Sequence, residues 1–264
     1  MMKNFTCLLF LVTVIFAATA QEKFQLAPPM IKYRSVFFTD EARVILAFAQ
    51  PGAIIHYTTH AEEPDENSPV YLKPVIIKNN FTTLKAKVFG KSFLPSETVQ
   101  ATFLKDGLPV QKIEFPVPDI KYSGEGPNTL MDNKGGISNY SNSTWLGFKQ
   151  DTVTITITLI KKSETRSILF NLLQDQGSWI FFPYKAEAFS IDTTNAGVVK
   201  LGEMFFNPKE NTEVSICRPY VINFKKKIKT STITLQLYLL KNIPDWHPGK
   251  GQSSWIFIDE VKLY

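Results

Sequence analysis

Alternation of apolar and polar residues is the sequence feature that most constrains the fold. From Val153 to Leu159 every second residue is apolar, and the residues between them are threonines. The same period of two recurs from Leu84 to Val88 and from Ile233 to Leu239. Successive side chains of a β-strand point to opposite faces, so this pattern predicts half-buried strands. Because no later segment shows a persuasive helical period, the sequence predicts an all-β protein.

Turn signals divide the chain into two predicted domains. The strands are separated by the turn sequences Gln50-Pro51-Gly52, Asp106-Gly107, Gly124-Glu125-Gly126-Pro127 and Pro248-Gly249. Short strands without crossover helices favour antiparallel sheets. Residues 106–119 contain Gly107 and three prolines, which is typical of a linker. We therefore predict two antiparallel β-sandwiches: an Fn3/Ig-like domain at residues 26–105 and a jelly roll at residues 120–264.

The N-terminus has the pattern of an export signal. Lys3 precedes an apolar run from Leu8 to Ala18, and the triplet Ala18-Thr19-Ala20 fits a cleavage site. The alternative is a membrane anchor, but this run is shorter than the ~20 residues needed to span a bilayer. We predict a signal peptide at residues 1–20. The mature protein is then exported to the periplasm, cell surface or extracellular space, with no transmembrane anchor after cleavage.

Charge and cysteine content exclude several partners. The chain has 29 Lys and Arg against 24 Asp and Glu, a net charge of +5. Its only basic cluster, Lys225-Lys226-Lys227 with Lys229, is narrower than a nucleic-acid-binding face, so no nucleic acid partner is expected. Cys217 is the only cysteine after the signal, and the spacings of Cys/His metal sites are absent. The core must therefore stabilise the protein without an intramolecular disulfide.

No catalytic motif is present in the sequence. The HExxH, GxSxG and P-loop patterns do not occur. The acidic pair Asp259-Glu260 is the most suggestive feature, but neighbours on a strand point to opposite faces and cannot flank one bond. We predict that the protein is not an enzyme.

The first predicted domain resembles a known accessory module. The residues that carry this resemblance are Ile55-His56-Tyr57-Thr58-Thr59, Glu63-Pro64, Ser68-Pro69-Val70-Tyr71, Pro74, Thr83 to Phe89 and Leu94-Pro95-Ser96. They resemble the small Fn3-like domain near the C-terminus of bacterial chitobiases and β-hexosaminidases, over about residues 50 to 103. The resemblance implies a structural or accessory role, and no catalytic residue follows from it.

The second predicted domain resembles a galactose-binding-like (discoidin-type) jelly roll. Such jelly rolls are attached to β-hexosaminidases and other glycosidases of gut-type Bacteroidota. The residues that carry the resemblance are Leu130-Met131-Asp132, Asn139-Tyr140, Trp145-Leu146-Gly147-Phe148, Leu173-Gln174, Gly177 to Pro183 and Pro244 to Val261. The mature chain therefore looks like the tail of a glycosidase without its catalytic domain.

Trp246 is the strongest candidate for a glycan contact. Trp179 and Trp255 stand between apolar residues, which favours core packing, whereas Trp246 lies in a loop rich in proline and glycine. Sugar CH faces stack on aromatic rings, and polar groups meet the hydroxyls. We predict that Trp246 stacks on a glycan, that His247 is a hydrogen-bond partner and that Asp245 binds paired hydroxyls. The alternative is that the loop plugs the end of the sandwich.

A structural Ca²⁺ ion is the one cofactor expected. Asp132 begins a glycine-rich turn, and Glu260 alternates with Ile256 and Ile258 on what is predicted to be an apolar face. The resemblance adds that related jelly rolls often hold Ca²⁺ between such a loop and a C-terminal glutamate. Hard cations take carboxylate and carbonyl oxygens, so Asp132 and Glu260 are the predicted ligands. The alternatives for Glu260 are a Lys or Arg partner, or exposure at the end of the strand.

Three hypotheses of function follow. The first is a secreted, non-catalytic carbohydrate-binding accessory protein whose partner is a glycan or polysaccharide. The second is a structural or assembly module of the cell envelope that binds a glycosidase or envelope protein without touching sugar. The third is a hydrolase of unknown type, for which the sequence offers no motif.

Overall fold

The computed structural model describes residues 23–60, 62–135, 137–192, 197–207, 211–212 and 214–264. The predicted signal peptide at residues 1–20 lies outside these ranges. The described chain consists of strands with three single turns of 3-10 helix, at Ile120–Tyr122, Thr129–Met131 and Gln176–Ser178. The prediction of an all-β protein built from antiparallel sandwiches is confirmed.

The first domain is a sandwich of two small sheets. Its strands are β1 (Met30–Lys32), β2 (Phe37–Phe38), β3 (Ala42–Ala47), β4 (Ile54–Thr58), β5 (Val75–Ile77), β6 (Phe81–Phe89) and β7 (Val99–Lys105). One sheet has the order β1-β3-β5 and the other β2-β7-β6-β4, in which only β2 and β7 are parallel. The alternating residues Leu84, Ala86 and Val88 of β6 are fully buried, as their period of two predicts.

The second domain is organised around two very long strands. Its strands are β8 (Val110–Glu114), β9 (Leu146–Phe148), β10 (Thr152–Gln174), β11 (Lys185–Asp192), β12 (Gly197–Phe205), β13 (Ile216–Tyr238) and β14 (Ile256–Leu263). Strands β10 and β13 have 23 residues each and pair along almost their whole length, with register shifts between Thr158 and Ser163 and between Thr165 and Ser167.

These long strands contribute to both layers of the second sandwich. The first half of β10 lies between β13 and β8, whereas its second half lies between β13 and β14. Buried side chains from both halves, such as Ile155 and Phe170, belong to one apolar core. The second half of β10 is buried on both faces. On the face away from the core, Leu169 packs against Phe37 and Leu104 of the first domain, and Leu173 belongs to a smaller apolar cluster of the second domain.

The segment interpreted as a linker contains a strand. Within residues 106–119, β8 pairs with β10 of the second domain, and Ile113 is buried in its core. Gly107 lies directly against β14, where an added Cβ would be 2.4 Å from the carbonyl oxygen of Leu263. Its single glycine and its prolines therefore flank a short strand instead of forming a flexible linker.

Candidate functional site

Two loops at one edge of the second domain form the candidate site. The first, residues 243–251, connects β13 to β14 and contains the predicted residues Asp245, Trp246 and His247. The second, residues 175–183, follows β10. The backbone bonds of the first loop are local, with His247 N–H donating to Pro244 O at 3.0 Å and Gly251 N–H to Ile243 O at 3.0 Å.

His247 fastens the two loops together. It is only 5% exposed. Its Nδ1 accepts a hydrogen bond from Gly249 N–H at 2.9 Å, so Nε2 carries the proton and donates to Gln176 O at 2.7 Å. Both ring nitrogens are therefore bonded to backbone groups. The sequence predicts His247 as a hydrogen-bond partner of the glycan, but in this geometry neither nitrogen is left for a sugar hydroxyl.

Trp246 lies on the surface beside this histidine. Its side chain is 40% exposed, and its ring centroid is 5.5 Å from that of His247 and 6.2 Å from that of Phe181. The indole therefore packs against His247 and Phe181 on one side, and part of it faces solvent. Asp245 next to it is exposed and forms no ion pair with any residue that the structure describes. These two side chains are accessible to a ligand, as a glycan contact requires.

Trp179 is a second exposed ring, and the sequence interpretation assigned it to the core. It is 37% exposed and does not lie in a strand but in the left-handed region, with φ 61°. Its ring centroid is 5.4 Å from that of His247, on which it packs edge to face. The signal that could have found it is the preceding polar turn Asp175-Gln176-Gly177-Ser178, which is atypical of a buried strand.

A glycine makes room for the indole of Trp179. A Cβ added at Gly249 would be 1.8 Å from Trp179 Nε1, so no side chain fits there without moving the ring. A non-glycine residue with positive φ costs of order 1 kcal/mol, and such residues cluster at functional sites. The two loops therefore hold Trp179 and Trp246 on the same buried imidazole.

The predicted metal ligand Glu260 has a lysine partner. Glu260 is fully buried in β14, and Lys262 Nζ lies 2.9 Å from its Oε2. The same ammonium is 3.0 Å from Asp106 Oδ1 and donates to Asn133 Oδ1 at 2.7 Å. We call these four residues the Lys262 centre. Burial raises the pKa of Glu260 to about 8, although Lys262 opposes this shift.

Asp132 lies next to this centre in the turn after the second 3-10 helix. Its Oδ1 accepts a hydrogen bond from Lys134 N–H at 2.8 Å, and burial raises the pKa of its carboxyl group. The negative charge of Asp132 also raises the pKa of Glu260, so the two predicted ligands interact. Among the described residues, no three His, Cys, Asp or Glu side chains are grouped as a metal site.

The neighbouring acid Asp259 has a different environment. A register shift between β10 and β14 makes Asp259 an extra residue in the pairing, which allows both adjacent acids to be buried. Asp259 Oδ1 accepts a hydrogen bond from Asn171 Nδ2 at 2.6 Å. Asn171 Nδ2 also lies 3.3 Å from Cys217 Sγ, and burial raises the pKa of that thiol. This arrangement gives neither a paired-carboxylate site nor an activated nucleophile.

Comparison with known proteins finds a family match within the first domain. Residues 35–101 match the family model of the chitobiase/beta-hexosaminidase C-terminal domain. This confirms the resemblance that the sequence predicts for that region. No curated protein sequence matches the chain. Within the described part of the chain, no helix is both long enough and apolar enough to cross a membrane.

Three solved structures illustrate what the chain resembles. The CpGH89CBM32-6 protein of Clostridium perfringens is 16% identical, with a TM-score of 0.35, over 58% of this chain and 94% of that chain. The family 32 carbohydrate-binding module of Streptococcus pneumoniae EndoD is 16% identical, with a TM-score of 0.37, over 60% and 98%. CpGH89CBM32-5 of Clostridium perfringens, solved in complex with GalNAc-beta-1,3-galactose, is 14% identical, with a TM-score of 0.37, over 58% and 94%. Residues 35–101 of the chain are therefore similar to the chitobiase/beta-hexosaminidase C-terminal domain.

Proposed function

We propose that the protein is a secreted, non-catalytic carbohydrate-binding accessory protein whose glycan site lies at Trp179 and Trp246. The observation that carries this proposal is a pair of exposed indoles that pack on one buried histidine. Trp179 is 37% exposed and Trp246 is 40% exposed. An aromatic ring that is packed on one side and exposed on the other is suited to stacking against the CH face of a sugar. The family match of the first domain supports an accessory role beside a glycosidase.

The two loops supply the other requirements of a weak sugar site. Asp245 is exposed beside Trp246 and offers two carboxylate oxygens to paired hydroxyls. The hydrogen bonds of His247 fix both loops before any ligand arrives, which lowers the ordering cost of binding. In this proposal, His247 positions the rings and Asp245 is the hydrogen-bonding partner. One or two ring contacts leave little free energy after ordering costs, so affinity for a single sugar is weak.

The test is a glycan array of the chain from residue 21, followed by titration of the best neutral oligosaccharide. We expect Trp246→Ala and Trp179→Ala each to weaken binding at least tenfold. Phe81→Ala is the matched control, because this ring is 58% exposed on the first domain and lies outside both loops. Binding that survives both tryptophan changes excludes this site. If Trp246→Ala instead costs the ~3–5 kcal/mol typical of a buried aromatic, the loop is a plug.

The assembly-module hypothesis has one observation in its favour. Met30, Ile45 and Ile76 share the outer face of the sheet β1-β3-β5 and are 59%, 40% and 43% exposed. Exposed apolar patches often mark protein interfaces. This reading expects stable co-purification with a glycosidase or envelope protein that is lost in Ile45→Arg, while glycan binding is unchanged. If the protein binds glycan and no protein partner co-purifies, the assembly-module hypothesis is excluded and the carbohydrate-binding proposal is retained.

Binding of Ca²⁺ by Asp132 and Glu260 remains a proposal, and the position of Lys262 argues against it. The oxygens around Lys262 are of the type that Ca²⁺ prefers. Oε2 of Glu260 is paired with Lys262, whereas the buried Oε1 has no hydrogen-bond partner among the described residues. However, the ammonium of Lys262 already lies among these oxygens, so a metal ion would have to displace it. If Ca²⁺ binds, EDTA lowers the melting temperature and added Ca²⁺ restores it. An unchanged melting temperature contradicts the proposal.

A further inference from the structure

A groove separate from the tryptophan site runs along the junction of the two domains. One part, about 300 Å³, is lined by residues 121–124, 140–143 and Trp145 of the second domain. The adjoining part, about 600 Å³, is lined by residues 31–34 of the first domain and by Glu125, Lys134 and residues 142–144 of the second. Asn142 and Ser143 line both parts, so we describe them together as the junction groove. Pockets of a few hundred cubic ångströms accommodate small ligands.

The first part of the junction groove has an aromatic wall. The ring centroids of Tyr122 and Tyr140 are 6.4 Å apart and nearly perpendicular. Tyr122 is fixed from behind by Phe257 at 4.8 Å and Trp255 at 5.6 Å. Both tyrosines are only partly buried. A ring held in this way presents a face for stacking and a hydroxyl for hydrogen bonding.

The second part of the junction groove carries unpaired positive charge. Lys32 and Arg34 are exposed, and neither forms an ion pair with a residue that the structure describes. Lys134 is paired with Glu125, so these two charges cancel. The lining therefore keeps the charges of Lys32 and Arg34. Guanidinium groups bind carboxylate or sulfate in a bidentate manner, and lysine adds a point charge.

Polar groups lie between the aromatic and the basic parts. The Ser143 hydroxyl donates to Glu125 Oε1 at 2.8 Å, which fixes it on the rim. Asn142 Oδ1 accepts from Thr144 N–H at 3.0 Å, and the Asn142 amide donates to none of the described residues. Thr144 Oγ1 is buried, and no described residue gives it a hydrogen-bond partner. Unsatisfied buried polar groups are rare and call for an explanation, which a hydrated or occupied groove provides.

We propose that the junction groove binds an anionic glycan. A sugar ring packs against Tyr122 and Tyr140, and a uronate carboxylate or a sulfate on a neighbouring unit is held by Lys32 and Arg34. The glycan would contact both domains at once, because its ring site lies on the second domain and its charge site on the first. This inference goes beyond the proposed function, because it concerns a different surface and a different ligand charge from the site at Trp246.

The experiment is titration of the full mature chain with three probes: oligogalacturonate, a chondroitin sulfate oligosaccharide and a neutral galactan oligosaccharide of the same length. We expect one of the two anionic probes to bind, and its identity distinguishes a carboxylate from a sulfate site. Lys32→Ala/Arg34→Ala should weaken that binding at least tenfold. Tyr140→Ala should weaken it severalfold, since the ring contact is lost while the charges remain.

The matched control is Lys225→Ala/Lys226→Ala, which removes the same charge from the exposed basic cluster on β13. An equal loss in both double variants, or equal affinity for a DNA duplex, overturns the proposal because charge alone would then explain binding. No binding to either anionic probe also overturns it. Trp246→Ala should leave anionic binding unchanged, and Lys32→Ala/Arg34→Ala should leave neutral glycan binding unchanged. The failure of one site is thereby distinguished from the failure of the other.

Discussion

The tryptophan site and the Lys262 centre are both built around a buried ionisable side chain, but they leave different groups free. His247 is bonded to two backbone groups, and the rings beside it stay exposed. Lys262 is bonded to side-chain oxygens of Asp106, Asn133 and Glu260, and is itself 4% exposed. Because His247 is bonded to backbone groups, the neighbouring side chains remain available to a ligand. The charged side chains around Lys262 are instead paired with one another. The first arrangement is suited to binding, and the second to holding the linker segment at Asp106 against the second domain.

The largest expected effect is on the Lys262 centre. Lys262→Met leaves Glu260 buried without its counter-charge, and breaking a buried pair in this way costs about 3–5 kcal/mol. Urea unfolding at pH 9, where Glu260 is ionised, measures this loss. The double variant Glu260→Gln/Lys262→Met should recover much of it, because no charge is then buried alone. A single variant within ~1 kcal/mol of the natural protein would show that the pair contributes little to stability.

His247→Ala should have the next largest effect. It leaves Gln176 O and Gly249 N–H without their side-chain partner and removes the support of two indoles, at a cost of about 2–4 kcal/mol. Trp246→Ala should cost less than about 2 kcal/mol, since this ring is 40% exposed. Urea unfolding of the two variants compares the stability contributed by the buried His247 with that contributed by the exposed Trp246. A Trp246→Ala loss as large as that of His247→Ala contradicts the distinction.

The two regions should also differ in their pH dependence. The pKa of Glu260 is about 8 when folded and near 4.5 when unfolded, so the folded state binds more protons between these values. Its contribution to stability is present below pH 4.5 and is lost as the pH rises through 8. The expected loss is of the order of a few kcal/mol, and Glu260→Gln should flatten this part of the profile. Urea midpoints from pH 5 to pH 8.5 test this, and a flat natural profile contradicts it.

The smallest expected effect on stability concerns Gly249, which packs against the indole of Trp179. Gly249→Ala places a methyl group where the indole lies, so the ring must move, at a cost of about 1 kcal/mol and with weakened glycan binding. Gly177→Ala is the control, because its added Cβ would be in ordinary contact, 3.7 Å from Asp175 Oδ1. Tryptophan fluorescence should shift in the first variant only. Equal spectra in both variants would mean that Gly249 does not determine the position of the ring.

The sequence predicts the strands better than the loops. The period of two from Val153 to Leu159 and from Ile233 to Leu239 locates parts of β10 and β13, because one face of each is buried and the other is not. It fails where both faces are covered, as in the second half of β10. Strand β8 also escaped prediction, since its flanking prolines are equally typical of a linker.

The candidate site could be predicted only in part. The loop composition around Trp246 indicates an exposed ring, and the structure shows one. The burial of His247 and the exposure of Trp179 depend on a second loop 71 residues away, at Gln176, which no local pattern reveals. The Lys262 centre likewise joins residues far apart in the chain, Asp106, Asn133 and Glu260. Pairings of this kind follow from topology, not from sequence spacing.

The continuity of β10 and β13 has a consequence for how the second domain opens. Since each strand passes through both layers, neither layer can separate without breaking the backbone pairing that the other one shares. Amide protons in the two halves of β10, such as those of Ile155 and Phe170, should therefore exchange with solvent through the same opening event. The edge strand β12, which pairs only with β11, can detach alone and should exchange sooner.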